Sequence, residues 1–360
     1  MRDWPTLPQG IKQGVCGIWE GRVYVGLGSA GSAIYRLDLD DPRAGWQACA
    51  PFPGPAREGA AFAMDAGRLV VMGGAGKPAA DAPSPVVLTD IHLYDTQTDR
   101  WTKAAGTTPV GLLGATAWGL GGGRILCAGG YNKPLFDTFV RALAEIDPVA
   151  DPERHQAHVA GYMGMRPEDY RWNDRLWLYD IAADAWRDMG AKPGLPTTGA
   201  ALLADGLDAL LVNGEVKPGL RSPDVIALHF AEGAVTAEHA APLAAAPEGL
   251  AGAFGGYAQG VTLVAGGVNF PGARANADAG RWYAHQGLSK IWHDAIYALQ
   301  DGTWQPAGHL PEGLAYGASL SLPEGLVILG GERADLSASD RIHLLRWDAT
   351  QARVVVKGAD

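Results

Sequence analysis

A short apolar segment that ends in two glycines, or in a close equivalent, recurs six times along this chain. The second residue of each pair stands at Gly28, Gly74, Gly130, Gly214, Gly267 and Gly331. A run of small residues precedes each segment, and a strand-like segment ending near an acidic residue follows it. Self-similarity at roughly 40–50 residues is typical of a β-propeller, in which each repeat forms one blade. The sequence therefore predicts an all-β, six-bladed β-propeller with four-stranded blades.

The residue types of each repeat fit this interpretation. The apolar segments 22–28, 68–74 and 124–130 align without gaps, and their β-branched runs are typical of buried strands. Small-residue runs at 59–64 and 252–256 suit the innermost strands, because a crowded axis has no room for large side chains. A large ring that can pack between blades marks the fourth strand in four copies, at Trp46, Trp101, Trp186 and Trp304.

The uninterrupted repeat predicts a single domain over residues 1–360. The expected blades are residues 12–53, 57–106, 112–191, 198–244, 250–309 and 314–358. Residues 353–357 are expected to form the outer strand of the sixth blade. The N-terminal segment 1–11 is then expected at the closure of the ring, between blades six and one.

Composition narrows the possible partners. A net charge of −10 argues against a nucleic-acid partner, and no apolar run reaches the ~20 residues of a membrane span. The three cysteines lack metal-ligand spacing and form no disulfide framework, so no metal is expected. The N-terminus lacks the apolar segment of a signal peptide, which predicts a cytoplasmic protein, or a periplasmic one if a leader is missing. A monomer or homodimer is expected.

Two long connections indicate where a site would lie. Residues 131–172 and 268–291 both join a second strand to a third, and long loops in a compact domain are usually functional. In the first of them, residues 138–145 could form two helical turns. The fourth copy adds a polar stretch at the same position, residues 213–221. Because these connections share one face of a propeller with those between blades, we expect their side chains to meet at one mouth of the channel.

The candidate residues at this mouth are mostly cationic or polar, and they are Arg57, Glu215, Lys217, Arg221, Arg281, Tyr283 and His285. Several cations around a channel favour an anionic small molecule, and the planar fork of arginine matches a carboxylate. Glu215 among these cations is a candidate base, because its neighbours favour the ionised form. Structural alternatives remain open: Glu215 could simply pair with Lys217 or Arg221, and Arg57 could form a salt bridge to Glu58 or another blade.

At these residues the chain resembles the kelch-type N-acetylneuraminate epimerases, the sialic acid mutarotases of bacteria. The resemblance covers essentially the whole length and rests on residues 24–31, 213–221, 283–288, 315–319 and 330–332. It implies a kelch-type propeller that needs no cofactor and equilibrates the α and β anomers of N-acetylneuraminate. The essential glutamate and arginine of the family correspond to Glu215 and Arg221. The family often has Glu at the position of Gln286 and Arg at that of Leu314, which leaves the exact sugar open.

The chemistry implied by the resemblance is ring opening at the anomeric carbon. Glu215 would take the proton of the anomeric hydroxyl, and Arg221 would hold the sugar carboxylate. Lys217, Arg57, Arg281, Tyr283 and His285 would contact the substrate. The proton donor to the ring oxygen is left open among a water molecule, Tyr283 and His285.

Three other functions fit this sequence less well. The first alternative is a non-catalytic kelch propeller that binds an acidic sugar or a peptide at the same mouth. A sialidase is disfavoured because residues 301–304, which resemble a fragment of its Asp-box, lack the preceding Ser and occur once. A copper oxidase is disfavoured because the cysteines lie within predicted strands.

Overall fold

The computed structural model describes residues 4–358, which form six four-stranded antiparallel sheets. In each sheet the four strands follow chain order, from the innermost to the outermost strand. The innermost strands of successive sheets contact one another, and that of the sixth sheet contacts that of the first. The sheets therefore close into a ring, and the prediction of an all-β, six-bladed propeller with four-stranded blades is confirmed.

The first three blades contain strands β1 to β14 and the two longer helices. Blade one comprises β1 (Val15–Trp19), β2 (Arg22–Gly26), β3 (Ile34–Asp38) and β4 (Gln47–Ala48). Blade two comprises β5 (Ala61–Asp65), β6 (Arg68–Met72), the hairpin β7 (Ala75–Gly76) and β8 (Val86–Val87), then β9 (Asp90–Asp95) and β10 (Arg100–Thr107). Blade three comprises β11 (Thr116–Gly119), β12 (Arg124–Ala128), α1 (Lys133–Ala144), α2 (Pro152–Met163), β13 (Arg175–Asp180) and β14 (Ala185–Ala191).

The last three blades contain strands β15 to β30. Blade four comprises β15 (Ala201–Asp205), β16 (Asp208–Val212), the hairpin β17 (Glu215–Lys217) and β18 (Leu220–Arg221), then β19 (Val225–Ala231) and β20 (Ala234–His239). Blade five comprises β21 (Phe254–Ala258), β22 (Val261–Ala265), β23 (Val268–Asn269), α3 (Ala273–Asp278), β24 (Ile291–Trp292), β25 (Ala295–Gln300) and β26 (Thr303–His309). Blade six comprises β27 (Ala318–Leu322), β28 (Gly325–Leu329), β29 (Ile342–Asp348) and β30 (Arg353–Gly358).

Small residues are needed on the innermost strands because neighbouring blades crowd them. A Cβ atom on Gly256 would lie 2.6 Å from side-chain atoms of Leu326 and Ser321 in blade six. A Cβ atom on Gly255 would lie 2.8 Å from Leu203 in blade four. These distances are shorter than the distances between packed non-bonded atoms. Glycine at both positions therefore lets blade five approach its two neighbours without displacing them.

In blades one, two and five, a tryptophan near or on the outer strand ties the blade to the segment that leads into it. The indole N–H donates to a backbone carbonyl in three pairs, Trp101–Ala50 (2.9 Å), Trp304–Ala241 (3.1 Å) and Trp46–Pro5 (3.2 Å). In the third pair the acceptor belongs to the N-terminal segment. That segment also donates from Leu7 to the carbonyl of Asp340 in blade six, at 2.8 Å. Residues 4–11 therefore bridge blades six and one.

A closed ring of backbone hydrogen bonds encircles the axis, and we call it the axial belt. The residue two positions before each innermost strand donates its amide N–H to the equivalent carbonyl of the preceding blade, at 2.7 to 3.1 Å. The six residues of the axial belt are Gln13, Gly59, Gly114, Gly199, Gly252 and Tyr316. All six have φ between 55° and 68°, a left-handed conformation that favours glycine. The belt thus fixes the six blades at one height.

The insertion of blade three is more helical than the sequence indicated. The two helical turns that residues 138–145 could form belong to a longer helix that starts at Lys133, and a second helix follows. The Asn132 side chain caps the first helix by accepting from the Leu135 amide at 3.0 Å, and Pro134 occupies its first turn. Within the described residues, none of the helices has the length and apolar character needed to cross a bilayer.

Candidate active site

The axial channel itself offers no charged group to a ligand. Its cavity of about 200 Å³ is lined by residues of the axial belt and the innermost strands, and none of these lining residues carries a charge. Tyr316 is the belt residue whose aromatic ring borders the cavity. Any site that acts on an anion must therefore lie at the mouth, where the second-to-third connections converge.

The residue after each double glycine is held beside the axial belt. In blade four the Glu215 amide donates to the Thr198 carbonyl at 2.7 Å, and its carbonyl accepts from the Thr198 amide at 2.9 Å. Thr198 directly precedes the belt residue Gly199. Equivalent bridges hold Val268 in blade five and Glu332 in blade six. The repeat thus brings Glu215 to the rim of the channel.

The β17–β18 hairpin joins Glu215 to Arg221. The Nη1 of Arg221 lies 2.5 Å from Oε1 of Glu215, which also accepts from the Gly219 amide at 3.2 Å. The Nε of Arg221 donates to the Val268 carbonyl at 3.3 Å. The side chain of Arg221 is 2% exposed and that of Glu215 is 18% exposed. The guanidinium therefore lies behind the carboxylate, which faces the mouth.

His285 reaches the same pair from the insertion of blade five. Its ring lies 4.9 Å from that of Phe270 and 5.0 Å from that of Tyr283, measured between centroids. Burial, with the charge of Arg221 as a second cause, lowers the pKa of His285 below its ordinary value, so the ring is neutral at pH 7. Its Nδ1 atom is buried and has no hydrogen-bond partner within residues 4–358. His285 thus lies close to Glu215 and Arg221, and Tyr283 lies against the ring of His285.

Gly219 makes room for His285, which leads to a testable prediction. A Cβ atom on Gly219, where φ is +80°, would lie 1.7 Å from Nδ1 of His285. We expect Gly219→Ala to displace His285 and lower the catalytic rate at least tenfold. Gly280→Ala is the matched control, because Gly280 has a similar φ of +77° but no atom within 4 Å of its added Cβ. Kinetics and thermal unfolding of both variants would check this, and equal activities would contradict it.

The ammonium of Lys217 is bound to other parts of the protein and is not free for a ligand. Its side chain is fully buried, and its ammonium donates to the carbonyls of Met163, at 2.6 Å, and of Trp282. Met163 ends α2 in the first insertion, and Trp282 belongs to the second, so this lysine clamp fastens both insertions to the β17–β18 hairpin. Burial lowers the pKa of Lys217 to about 8. This geometry does not support the predicted substrate contact by Lys217.

The guanidinium of Arg57 is also bound to other groups of the protein. Its guanidinium forms a bidentate pair with Asp90 in blade two, at 2.7 and 3.0 Å, and donates to the carbonyls of Gly73 and Pro55. Burial opposes ionisation of Asp90, but hydrogen bonds from His92 and Arg57 hold its pKa well below the ordinary value. The alternative of a salt bridge therefore describes Arg57 better than substrate contact, with Asp90 in place of Glu58.

Replacing Arg57 should consequently affect stability rather than the reaction. We expect Arg57→Ala to lower the free energy of unfolding by about 3–5 kcal/mol, because it strands a largely buried carboxylate. KM should stay within about twofold of the wild type. Denaturant unfolding and steady-state kinetics would measure the two effects. A large rise in KM without a loss of stability would restore Arg57 as a substrate contact.

Arg281 does not join the Glu215 site in this structure. Its side chain is exposed, and its Nε and Nη2 donate to Oδ1 of Asn276 at 3.1 and 2.7 Å.

The two positions at which the chain differs from the usual family pattern also differ in environment. Leu314 is fully buried in a hydrophobic cluster between blades five and six, whereas Gln286 is exposed. The charge that the family's arginine would supply at position 314 is therefore absent here, and an apolar side chain takes its place.

Four tyrosines near Glu215 were not identified from the sequence. The charge of Glu215 contributes, after burial, to raising the pKa of Tyr131, Tyr162, Tyr170 and Tyr316 above the ordinary value. Tyr131 follows Gly130 just as Glu215 follows Gly214, so the register of the repeat could have identified it. Tyr316 could have been found as a bulky residue at a position where other repeats have glycine. Tyr162 lies in an insertion and has no counterpart in the repeat.

A second acidic residue lies at the rim. Glu332 occupies in blade six the position of Glu215 in blade four, and it pairs with Lys12 at 2.9 Å and with Lys290 at 3.1 Å. Burial opposes ionisation of Glu332, but these two lysines lower its pKa. The ammonium of Lys290 lies 4.9 Å from the centroid of the Tyr316 ring. Each carboxylate is thus paired with cations, Glu215 with Arg221 and Glu332 with Lys12 and Lys290.

Comparison with known proteins identifies the family. The family model described as N-acetylneuraminate epimerase matches residues 4–354. The chain belongs to the N-acetylneuraminate epimerase family. Among its relatives, the N-acetylneuraminate epimerase of Brucella melitensis is 46% identical over 96% of this chain and 90% of its own length. That of Vibrio vulnificus is 43% identical over 98% of this chain and 93% of its own length.

A solved structure supports the same assignment. The structure of YjhT superimposes with a TM-score of 0.93 at 34% identity, covering 99% of this chain and all of that one. The resemblance stated from residues 213–221 and the other motifs is thereby confirmed over nearly the whole chain. This member of the family is an isomerase with the Glu215–Arg221 pair at the mouth of its channel.

Proposed function

We propose that this protein interconverts the α and β anomers of N-acetylneuraminate, with Glu215 as the base. The observation that carries the proposal is the hydrogen-bonded Glu215–Arg221 pair at the rim of the channel. A carboxylate that is 18% exposed and backed by a buried guanidinium can accept a proton from a ligand at the mouth. The relatives named above carry the name of this activity.

The reaction needs a base and a group that orients the sugar acid. Glu215 takes the proton from the anomeric hydroxyl, and the bond between the anomeric carbon and the ring oxygen breaks. The electron pair of that bond stays on the ring oxygen, which takes up a proton from a water molecule. The open-chain product is a keto acid. The hydroxyl formed from the ring oxygen then attacks the other face of the carbonyl, and its proton returns to the hydroxide left by that water molecule, which gives the other anomer. The proton held by Glu215 returns to the new anomeric oxygen.

Arg221 is proposed to orient the carboxylate that shares the anomeric carbon with the reacting hydroxyl. A guanidinium has five N–H donors, and the contacts with Glu215, Val268 and Tyr316 do not use all of them. A remaining donor would bind the carboxylate of a sugar that reaches the guanidinium past Glu215. His285, which is neutral, and Tyr283 are proposed to contact the remainder of the sugar. We do not assign a substrate contact to Lys217, Arg57 or Arg281.

The experiment that tests this function follows the α anomer directly. N-acetylneuraminate released as the α anomer by a sialidase is monitored by proton NMR, with and without the protein. Faster decay of the α signal with the wild type would support the epimerase activity. Decay at the buffer rate would reject it, and the non-catalytic propeller that binds an acidic sugar or peptide would then be favoured. Cytoplasmic or periplasmic location, and a monomeric or homodimeric state, stay predictions.

A further inference from the structure

Tyr162 lies in a small aromatic cluster formed by the first insertion. Its ring stacks on that of Phe139, with centroids 3.9 Å apart and planes at 11°, and meets the ring of Tyr170 edge-on at 5.1 Å. Only 8% of the residue is exposed. The hydroxyl of Tyr170 donates to the backbone carbonyl of Tyr162. Packing on both sides therefore fixes where the Tyr162 hydroxyl points.

That hydroxyl has no hydrogen-bond partner anywhere in residues 4–358, although it is buried. Burying a hydroxyl without a partner costs free energy, and native structures contain few such groups. A phenylalanine would fill the same stacked position without this cost. The hydroxyl therefore contributes nothing evident to the fold, which suggests that its partner is a ligand.

The surroundings place the hydroxyl at the site of Glu215. The residue after Tyr162 is Met163, whose carbonyl accepts from the lysine clamp at 2.6 Å, and Lys217 lies on the same short strand as Glu215. The end of α2 is thus held against the β17–β18 hairpin. Burial, and then the charge of Glu215, raise the pKa of Tyr162, so the phenol stays protonated and can donate throughout the neutral range.

We propose that the Tyr162 hydroxyl binds the substrate, donating a hydrogen bond to an oxygen of the sugar acid beside the anomeric centre. This inference rests on the proposed function. It gives the first insertion a role in recognition, because α2 supplies a polar contact at a mouth otherwise built by the repeat and by the insertion of blade five. An oxygen atom of the ligand supplies the acceptor that the protein lacks.

The test compares Tyr162→Phe with the matched variant Tyr170→Phe. We expect Tyr162→Phe to raise KM for N-acetylneuraminate about 3- to 10-fold, as loss of one neutral hydrogen bond would, while Tm is unchanged or higher. Tyr170→Phe should instead lower Tm, because its hydroxyl bonds to a carbonyl of the protein. Stabilisation of each protein by added N-acetylneuraminate, read as a shift in Tm, gives a second measure of binding.

The outcomes separate this inference from the proposed function. Wild-type KM and ligand-induced Tm shift in Tyr162→Phe would overturn the inference while leaving the epimerase activity intact. A fall in Tm as large as that of Tyr170→Phe would show a structural role and also overturn it. If the wild type lacks activity, the proposed function fails. The shift in Tm caused by N-acetylneuraminate then decides by itself whether Tyr162 contacts the ligand. A shift that Tyr162→Phe reduces would still support the inference, whereas an equal shift or none would overturn it.

Discussion

Glu215→Gln should reduce the acceleration of anomerisation by about 10²–10⁴-fold, which is the typical contribution of general acid–base catalysis. The amide oxygen of Gln can still accept from the Gly219 amide and from Arg221, which are the two partners of Oε1. The variant therefore keeps the hairpin but loses the group that takes the proton. The measurement is the decay of the α-anomer signal by proton NMR, with thermal unfolding to show that the fold is retained.

Glu332→Gln is the matched control for this variant. Glu332 has the same place in blade six that Glu215 has in blade four, but its carboxylate is bound to Lys12 and Lys290. We expect the activity of Glu332→Gln to stay within about threefold of the wild type. Retained activity in Glu215→Gln would show that Glu215 is not the base. Equal losses in both variants would show that the two carboxylates act together.

Lys217→Ala should release both insertions from the blade-four hairpin. The change removes a fully buried side chain and leaves the carbonyls of Met163 and Trp282 without their donor. We expect the free energy of unfolding to fall by about 2–4 kcal/mol. Activity should fall as well, because Tyr162 and His285 belong to the released segments. Denaturant unfolding and limited proteolysis of the insertions would measure these effects.

A second buried lysine provides the comparison. Lys192 is 6% exposed, burial lowers its pKa to about 8, and its ammonium donates to the carbonyls of Pro193 and Leu195 in its own connection. Lys192→Ala should therefore lose stability but keep the insertions protected from protease. If Lys217→Ala kept normal activity and its insertions stayed protected from protease, the lysine clamp would not be what holds the two insertions in place.

The ring of blades and the Glu215–Arg221 pair were both predictable, for the same reason. Each depends on local sequence: the glycine pairs mark the end of a strand in every repeat, and residues 213–221 form one hairpin. Short-range patterns of this kind fix which residues are neighbours whatever the rest of the chain does. Glu215 and Arg221 face each other because the hairpin pairs them directly.

The residues that were misplaced depend on contacts the repeat does not encode. Strand alternation would put Lys217 on the same face as Glu215, but the register of the hairpin shifts between them. The ammonium consequently meets carbonyls of two insertions distant in sequence. Arg57 likewise pairs with Asp90, and not with the adjacent Glu58 that the sequence offered as one possible partner. Charge and position identify a cation near a mouth, but not the carbonyl or carboxylate that its nitrogen atoms meet.

The axial belt has an electrostatic consequence for this site. Each amide N–H of the belt donates to the next carbonyl around a closed circle, so the six dipoles follow one another head to tail. By the near-sixfold symmetry of the ring, their components in its plane cancel. These amides are also fully used, and they cannot form an anion-binding nest of the kind that free backbone N–H groups provide. The belt therefore contributes nothing to the attraction of a sugar acid, which is left to cationic side chains such as Arg221, Lys12 and Lys290.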